Sequence, residues 1–298
     1  MRLLRWGWSE YEEADLAGLP ASVEATAMAG PRAPLDEADV LVVPSTVRVD
    51  RAAAARLHRC RLVITTTSGF DQIDLGALRD RGIACARLPL ARRDAVVETT
   101  LGMMLSLTRR LGRFQQAALG GRWERKRLAE YGATLLGTVG VVGVGVIGSR
   151  ISTLLEAMGA RVLRCDPRLP AGVSLGQVLK ESDVVTLHCD LTAANRGMVG
   201  SDEVHMLRRG AVLVNTARGP LLDVEAAVAA VRAGHLAGLG LDVFPEEPAD
   251  LERYAGPRIL LTPHAAGWHP ALGAKIAEGV ATALRALLDG GEIPYRVA

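Results

Sequence analysis

Short apolar runs recur along the chain, separated by longer Ala/Leu-rich stretches of helical composition. The runs at residues 2–5, 40–43, 62–65, 139–142, 161–165, 184–188, 211–215 and 238–242 predict strands. Most are near-continuous in Val, Leu and Ile and lack the alternating polar positions of a half-exposed sheet. They are therefore expected to be buried on both faces, as in parallel sheets covered by helices. With neither internal repeats nor low-complexity tracts, the pattern predicts a doubly wound α/β protein.

A break in the pattern suggests how the chain is divided. Residues 95–113 have helical composition, a polar stretch follows at 120–132, and a new strand begins at Val139. A last helix over about 271–289 is placed to return to the first domain. The expected division is 1–92 plus 272–298 as one domain and 93–271 as the other. A length of 298 residues, 49% of them hydrophobic, accommodates two such cores.

Charge narrows the partners. The formal net charge is +2, and of 35 basic residues only Lys126, Lys180 and Lys275 are lysines. A near-neutral, arginine-biased chain gives no case for nucleic acid or an anionic membrane. Cys60, Cys85, Cys165 and Cys189 are scattered without metal-ligand spacing, so reduced buried thiols and no metal are expected. No apolar run approaches the ~20 residues of a spanning helix, and the acidic residues from Glu10 onward do not resemble a secretory leader. The expectation is a cytoplasmic protein.

The densest local signal is Gly143-Val144-Gly145-Val146-Ile147-Gly148, which follows a run of β-branched residues and opens a helical stretch. In a dinucleotide loop the first glycine permits the tight turn, the second admits a pyrophosphate, and the third lets helix and strand pack closely. The helix N-terminus then faces the anion. Asp166 ends the next strand about 20 residues on, where a carboxylate accepts from both adenosine ribose hydroxyls and repels a 2′-phosphate. NAD is therefore expected over NADP, with Arg164 and Arg168 flanking the acid.

Three polar residues each follow a later strand or apolar run: Arg218, Glu247 and His264. Carboxyl ends of parallel strands are where such sheets bind ligands. Reduction of a 2-keto acid needs a cation for the carboxylate and carbonyl, and a proton donor for the oxygen. Arginine's fork suits the first task, and histidine the second. A carboxylate bonded to that histidine would orient it and favour its protonated form.

With these motifs the chain resembles the D-isomer-specific 2-hydroxyacid dehydrogenase family. Ser68-Gly69-Phe70-Asp71-Gln72-Ile73-Asp74, Arg81-Gly82-Ile83, Val97-Glu98, the glycine loop, Asn215-Thr216-Ala217-Arg218-Gly219, Asp242-Val243-Phe244, Glu247-Pro248 and Pro263-His264 follow in family order. The resemblance implies a flavodoxin-like substrate domain and a Rossmann cofactor domain with an interdomain cleft, usually as a homodimer. It implies hydride transfer between NAD(H) and C2 of a small D-2-hydroxy acid or its keto partner. By the same resemblance Arg218, Glu247 and His264 are catalytic, and Ser45, Ser68, Gly69, Arg92, Arg218 and Trp268 bind substrate. Gly143, Gly145, Val146, Ile147, Gly148, Asp166, His188, Thr216, Ala217, Asp242, His264 and Gly267 are implied to hold the cofactor.

Departures from the family pattern are Pro44, Asp190 and the Arg92-Arg93 pair; the glycine loop is locally similar to phosphoerythronate dehydrogenases. Arg92 and Arg93 fall in a segment, 88–94, read as a turn before the connecting helix, where they are suited to a second anionic group on the substrate. Two alternatives remain. Formate or phosphite dehydrogenases share the fold, but the formate enzymes carry glutamine where Glu247 stands. Dinucleotide-sensing proteins resembling the C-terminal-binding-protein corepressors retain the trio and a tryptophan placed like Trp268.

Overall fold

The computed structural model describes residues 1–7, 16–123 and 134–298. The polar stretch at 120–132 lies mostly outside the described residues, as do Glu10 and Lys126. The chain forms two compact units, 1–94 with 268–298, and 95–267.

In the first unit, β1 (Arg2–Trp6), β2 (Glu24–Met28), β3 (Val40–Val43), α1 (Arg51–Ala55), β4 (Leu62–Thr65), α2 (Leu75–Arg79) and β5 (Ala84–Arg87) follow in chain order. All strands are parallel, in the order β2-β1-β3-β4-β5. This is the flavodoxin-type order, with its switch point between β1 and β3. Asp50 and Asp74 cap α1 and α2 by accepting from Ala53 and Ala77 N–H, both at 2.8 Å; such caps contribute about 1 kcal/mol each.

The segment 88–94 is not a turn. It opens helix α3 (Pro89–Thr108), with proline at the first helical position, where its missing N–H and fixed φ cost nothing.

The second unit continues with α4 (Leu111–Leu119), β6 (Thr138–Val142), α5 (Val146–Ala157), β7 (Arg161–Cys165), α6 (Leu175–Glu181), β8 (Val184–Leu187), α7 (Ser201–Met206), β9 (Val212–Asn215), α8 (Val224–Arg232), β10 (Gly238–Leu241) and β11 (Ile259–Leu261). Its parallel sheet runs β11-β10-β9-β8-β6-β7, and the switch point lies between β6 and β8. One face packs Leu163, Val185, Leu213 and Leu239 under α6, α7 and α8; the other packs Val139, Val141, Val184 and Val212 with residues of α3 and α5. Two-sided burial is what the unbroken apolar runs required.

Helix α9 (Leu272–Leu288) returns to the first unit. Leu272, Ile276, Val280 and Leu284, buried along one stripe, cover Leu3, Val40, Val42 and Leu62 of the first sheet. Strands β2, β5 and β11 were not expected. All five residues of β2 are exposed, β5 is buried through small residues, and β11 has only three residues. None leaves a long apolar run.

Candidate active site

The glycine loop joins β6 to α5. Gly143 has φ +89°, and a Cβ there would lie 2.6 Å from Cys189 N, so both conformation and crowding exclude a side chain. A Cβ on Gly148 would collide with the Gly143 carbonyl. Gly145 differs. It caps α5 with an ordinary φ of −77°, and a Cβ would meet nothing within 4 Å. Neither backbone nor packing demands glycine there; a ligand lying against the loop would. With the N-terminus of α5 directly behind, the loop fits a pyrophosphate.

Asp166 directly follows β7 and is 8% exposed. It accepts from Val144 N–H of the glycine loop at 2.8 Å and from Arg168 N–H at 2.9 Å. The Arg168 guanidinium closes over it at 3.2 Å, its own side chain largely in solvent. Mainly because of that guanidinium, and despite burial, the carboxyl is held down to about 2. Arg164 is paired with Glu156 at 2.7 Å.

His188 lies just beyond β8 at the switch point, its Nε2 3.0 Å from Thr186 Oγ1. Although part of the residue reaches the surface, desolvation of the ring pushes its pKa down to about 4.

The trio of polar residues is brought together within this unit. His264 Nδ1 lies 2.6 Å from Glu247 Oε2, and Glu247 Oε1 accepts from Phe244 N–H at 2.9 Å. Burial disfavours the Glu247 charge. The His264 bond, the Phe244 N–H and the nearby Arg218 and His264 charges outweigh it, leaving the carboxyl below its ordinary range. Arg218 is half-buried, with Nη1 donating to the Ala217 carbonyl at 2.7 Å.

The supports are specific. Asn215, fully buried at the end of β9, accepts from Ala217 N–H at 3.0 Å and donates to the Arg218 carbonyl at 2.9 Å, an Asx turn that fixes the arginine's backbone. A Cβ on Gly219 would overlap the Phe244 carbonyl, so the Arg218 loop touches the loop leading to Glu247. His264 has φ +54°, unusual for a side-chain-bearing residue. Asp242, 1% exposed, secures it: Oδ1 accepts from Thr262 Oγ1 at 2.6 Å and from Ala265 and Ala266 N–H at 2.8 and 3.1 Å. Asp242, read above as a cofactor ligand, thus gives its carboxylate to the His264 loop. Thr216 Oγ1 is 2.9 Å from Thr100 Oγ1 on α3, a partner that sequence reasoning missed. Asn215 was visible as a polar residue ending an apolar strand; Thr100 carried no signal.

In the first unit, Ser45 is exposed in the turn after β3, and Ser68 and Gly69 follow β4. Trp268 is 47% exposed. Arg93 is bonded to its neighbour Asp94 at 2.9 and 3.1 Å, so its charge is already matched.

Residues 101–266 match the family model for the D-isomer specific 2-hydroxyacid dehydrogenase NAD binding domain, more than half of the chain. The chain belongs to the D-isomer-specific 2-hydroxyacid dehydrogenase family. It is accordingly an NAD-dependent oxidoreductase. Among relatives, it is 33% identical to a glyoxylate reductase of Aeropyrum pernix over 77% of this chain and 74% of that one. It is 32% identical to a D-3-phosphoglycerate dehydrogenase of Methanocaldococcus jannaschii over 77% of this chain, a match spanning 46% of that longer protein. A crystal structure of D-lactate dehydrogenase from Aquifex aeolicus, complexed with NAD and lactic acid, is similar with a TM-score of 0.83 at 27% identity, over 97% and 96% of the two chains. Among the described residues no helix is long and apolar enough to cross a membrane, and no cluster of three or more metal-ligating side chains occurs.

Proposed function

We propose that this dehydrogenase passes a hydride between NAD(H) and C2 of a small D-2-hydroxy acid or its 2-keto partner, with His264 as acid/base, Glu247 as its partner and Arg218 on the carboxylate. The observation that carries this reading is the 2.6 Å contact between His264 Nδ1 and Glu247 Oε2 beside the Arg218 charge.

NADH, when bound, supplies the hydride. Glu247 accepts from Nδ1–H, which leaves Nε2 as the nitrogen that holds the transferable proton. As the keto oxygen gains negative charge, Nε2–H donates to it; in oxidation Nε2 accepts that proton back. Arg218 holds the carboxylate and polarises the carbonyl. Ser68 and Gly69 contribute backbone N–H groups to the same carboxylate, with Ser45, Arg92 and Trp268 as further substrate residues.

Asp166 receives the adenosine ribose and favours NAD over NADP. Its carboxylate remains charged at neutral pH, and the two flanking arginines are engaged with Asp166 and Glu156. The expected partner assembly is a homodimer, and the expected compartment is the cytoplasm.

Nicotinamide absorbance during incubation with a panel of 2-keto acids tests the reading. NADH oxidation with at least one of them, faster than with NADPH, is expected. Failure with every 2-keto acid would remove it.

A further inference from the structure

At the carboxyl edge of the first sheet, Arg87 ends β5 directly beside Thr65, which ends β4. The β4 loop is stapled from within. Thr67 Oγ1 lies 2.8 Å from Thr65 Oγ1 and donates to the Gly69 carbonyl at 2.8 Å, while Gln72 Nε2 donates to Thr65 Oγ1 at 3.0 Å. Arg87 adds an external hold. Its Nη1 donates to the Ser68 carbonyl at 3.0 Å, and its guanidinium carbon lies 5.5 Å from the centre of the Phe70 ring.

That hold has a directional consequence. In a trans peptide the carbonyl and the following N–H point opposite ways. Fixing the Ser68 carbonyl on the guanidinium therefore turns the Gly69 N–H away from Arg87. The N–H groups of Ser68, Gly69 and Phe70 have no acceptor among the described residues, and the buried Ser68 Oγ has no hydrogen-bond partner there either. Successive backbone donors of this kind receive anions. A cation bonded to the same peptide plane strengthens their field where water is partly excluded.

We propose that Arg87 is a positioning residue for substrate recognition: it orients the Ser68–Gly69 peptide and adds the positive field with which that peptide receives a carboxylate. The proposal rests on the reading that the substrate carboxylate is held at Ser68 and Gly69. Arg87 acts through the backbone and does not itself touch the substrate.

The test compares Arg87→Gln and Arg87→Lys with the wild type. Losing a charge-assisted contact is worth about a decade, so Arg87→Gln should raise KM for the preferred 2-keto acid roughly tenfold. The value of kcat, the Kd for NADH and the unfolding midpoint should stay near wild type. Arg87→Lys, which retains charge and one donor, should recover part of the loss. A purely structural residue would lower stability or NADH binding as well. An unchanged KM in a folded Arg87→Gln protein overturns the proposal, as does a loss confined to kcat.

Hydrogen exchange across residues 68–70 gives an independent measure, with oxalate as the probe. Oxalate should slow exchange there in the wild type and much less in Arg87→Gln. If the wild type reduces no 2-keto acid, the functional reading fails, and this exchange result alone decides Arg87. Absence of oxalate protection in the wild type overturns it.

Discussion

The two sheets share a plan and differ in what their carboxyl ends carry. In the five-stranded sheet, the loops after β3 and β4 and the end of β5 present Ser45, backbone donors at 68–70 that have no acceptor among the described residues, and the Arg87 guanidinium. In the six-stranded sheet, the corresponding loops present a glycine turn, two engaged carboxylates and a histidine held at positive φ. The first set consists of backbone donors, a hydroxyl and a cation. The second includes an imidazole with a carboxylate already bonded to it. One parallel α/β architecture thus carries different side chains at its two sets of carboxyl ends, and under the proposed function the loops alone divide recognition from chemistry.

The largest expected effect lies in the second unit. His264→Ala removes the proton donor and should slow keto-acid reduction by roughly 10² to 10⁴-fold while NADH binding is retained; steady-state rates and NADH fluorescence titration check both halves. Wild-type rates in this variant would move the proton chemistry elsewhere. Arg218→Lys keeps the charge but not the planar fork, and should cost about one to two decades in kcat/KM. A value within twofold of wild type would remove Arg218 from substrate binding.

The glycine loop offers a finer contrast. Gly145→Ala meets no protein atom, so the unfolding midpoint should hardly change, yet NADH should bind several-fold more weakly. Gly148→Ala, whose Cβ would overlap a carbonyl, should lower stability as well. Calorimetry with and without NADH separates the two. Equal NADH affinity in Gly145→Ala and wild type would argue that the space before the loop is not the cofactor's.

The smallest effect concerns pH. The His188 imidazole is held near 4, against 6.5 ordinarily, by desolvation. Between those values the unfolded chain takes up a proton that the folded chain refuses. Stability therefore falls as pH drops from 6.5 towards 4, by at most about 1.4 kcal/mol per pH unit from this group. His188→Gln should flatten that limb in urea titrations at a series of pH values. Parallel curves would show that His188 stays solvated.

Much of this was legible in the sequence because packing and chemistry both impose spacing. A strand buried on two faces leaves an apolar run, so β3, β4, β6 and β8 announce themselves; exposed β2 and the Ala/Cys-rich β5 do not. Adjacent polar Arg92 and Arg93 look like a turn, although Pro89 was a start signal for the helix that contains them. The glycine loop was readable because a pyrophosphate fixes where side chains must be absent. Asp242 was visible as a motif residue, but its grip on residues 262–266 depends on contacts some 20 positions away. Arg87 was invisible for the same reason: its partners, Ser68 and Phe70, lie on the neighbouring strand's loop.

The pH dependence of kcat/KM for keto-acid reduction in Glu247→Gln tests the pairing of His264 with Glu247 most directly. Glu247 is ionised throughout the neutral range, its carboxyl being held below the ordinary value by His264 and its other partners. Replacing it with a neutral amide removes a charge that favours the protonated imidazole, so the limb on which activity falls with rising pH should move to lower pH. NADH affinity should be unchanged. A profile superimposable on the wild type, at an undiminished rate, would contradict the assignment of His264 and Glu247 as the proton-transferring pair.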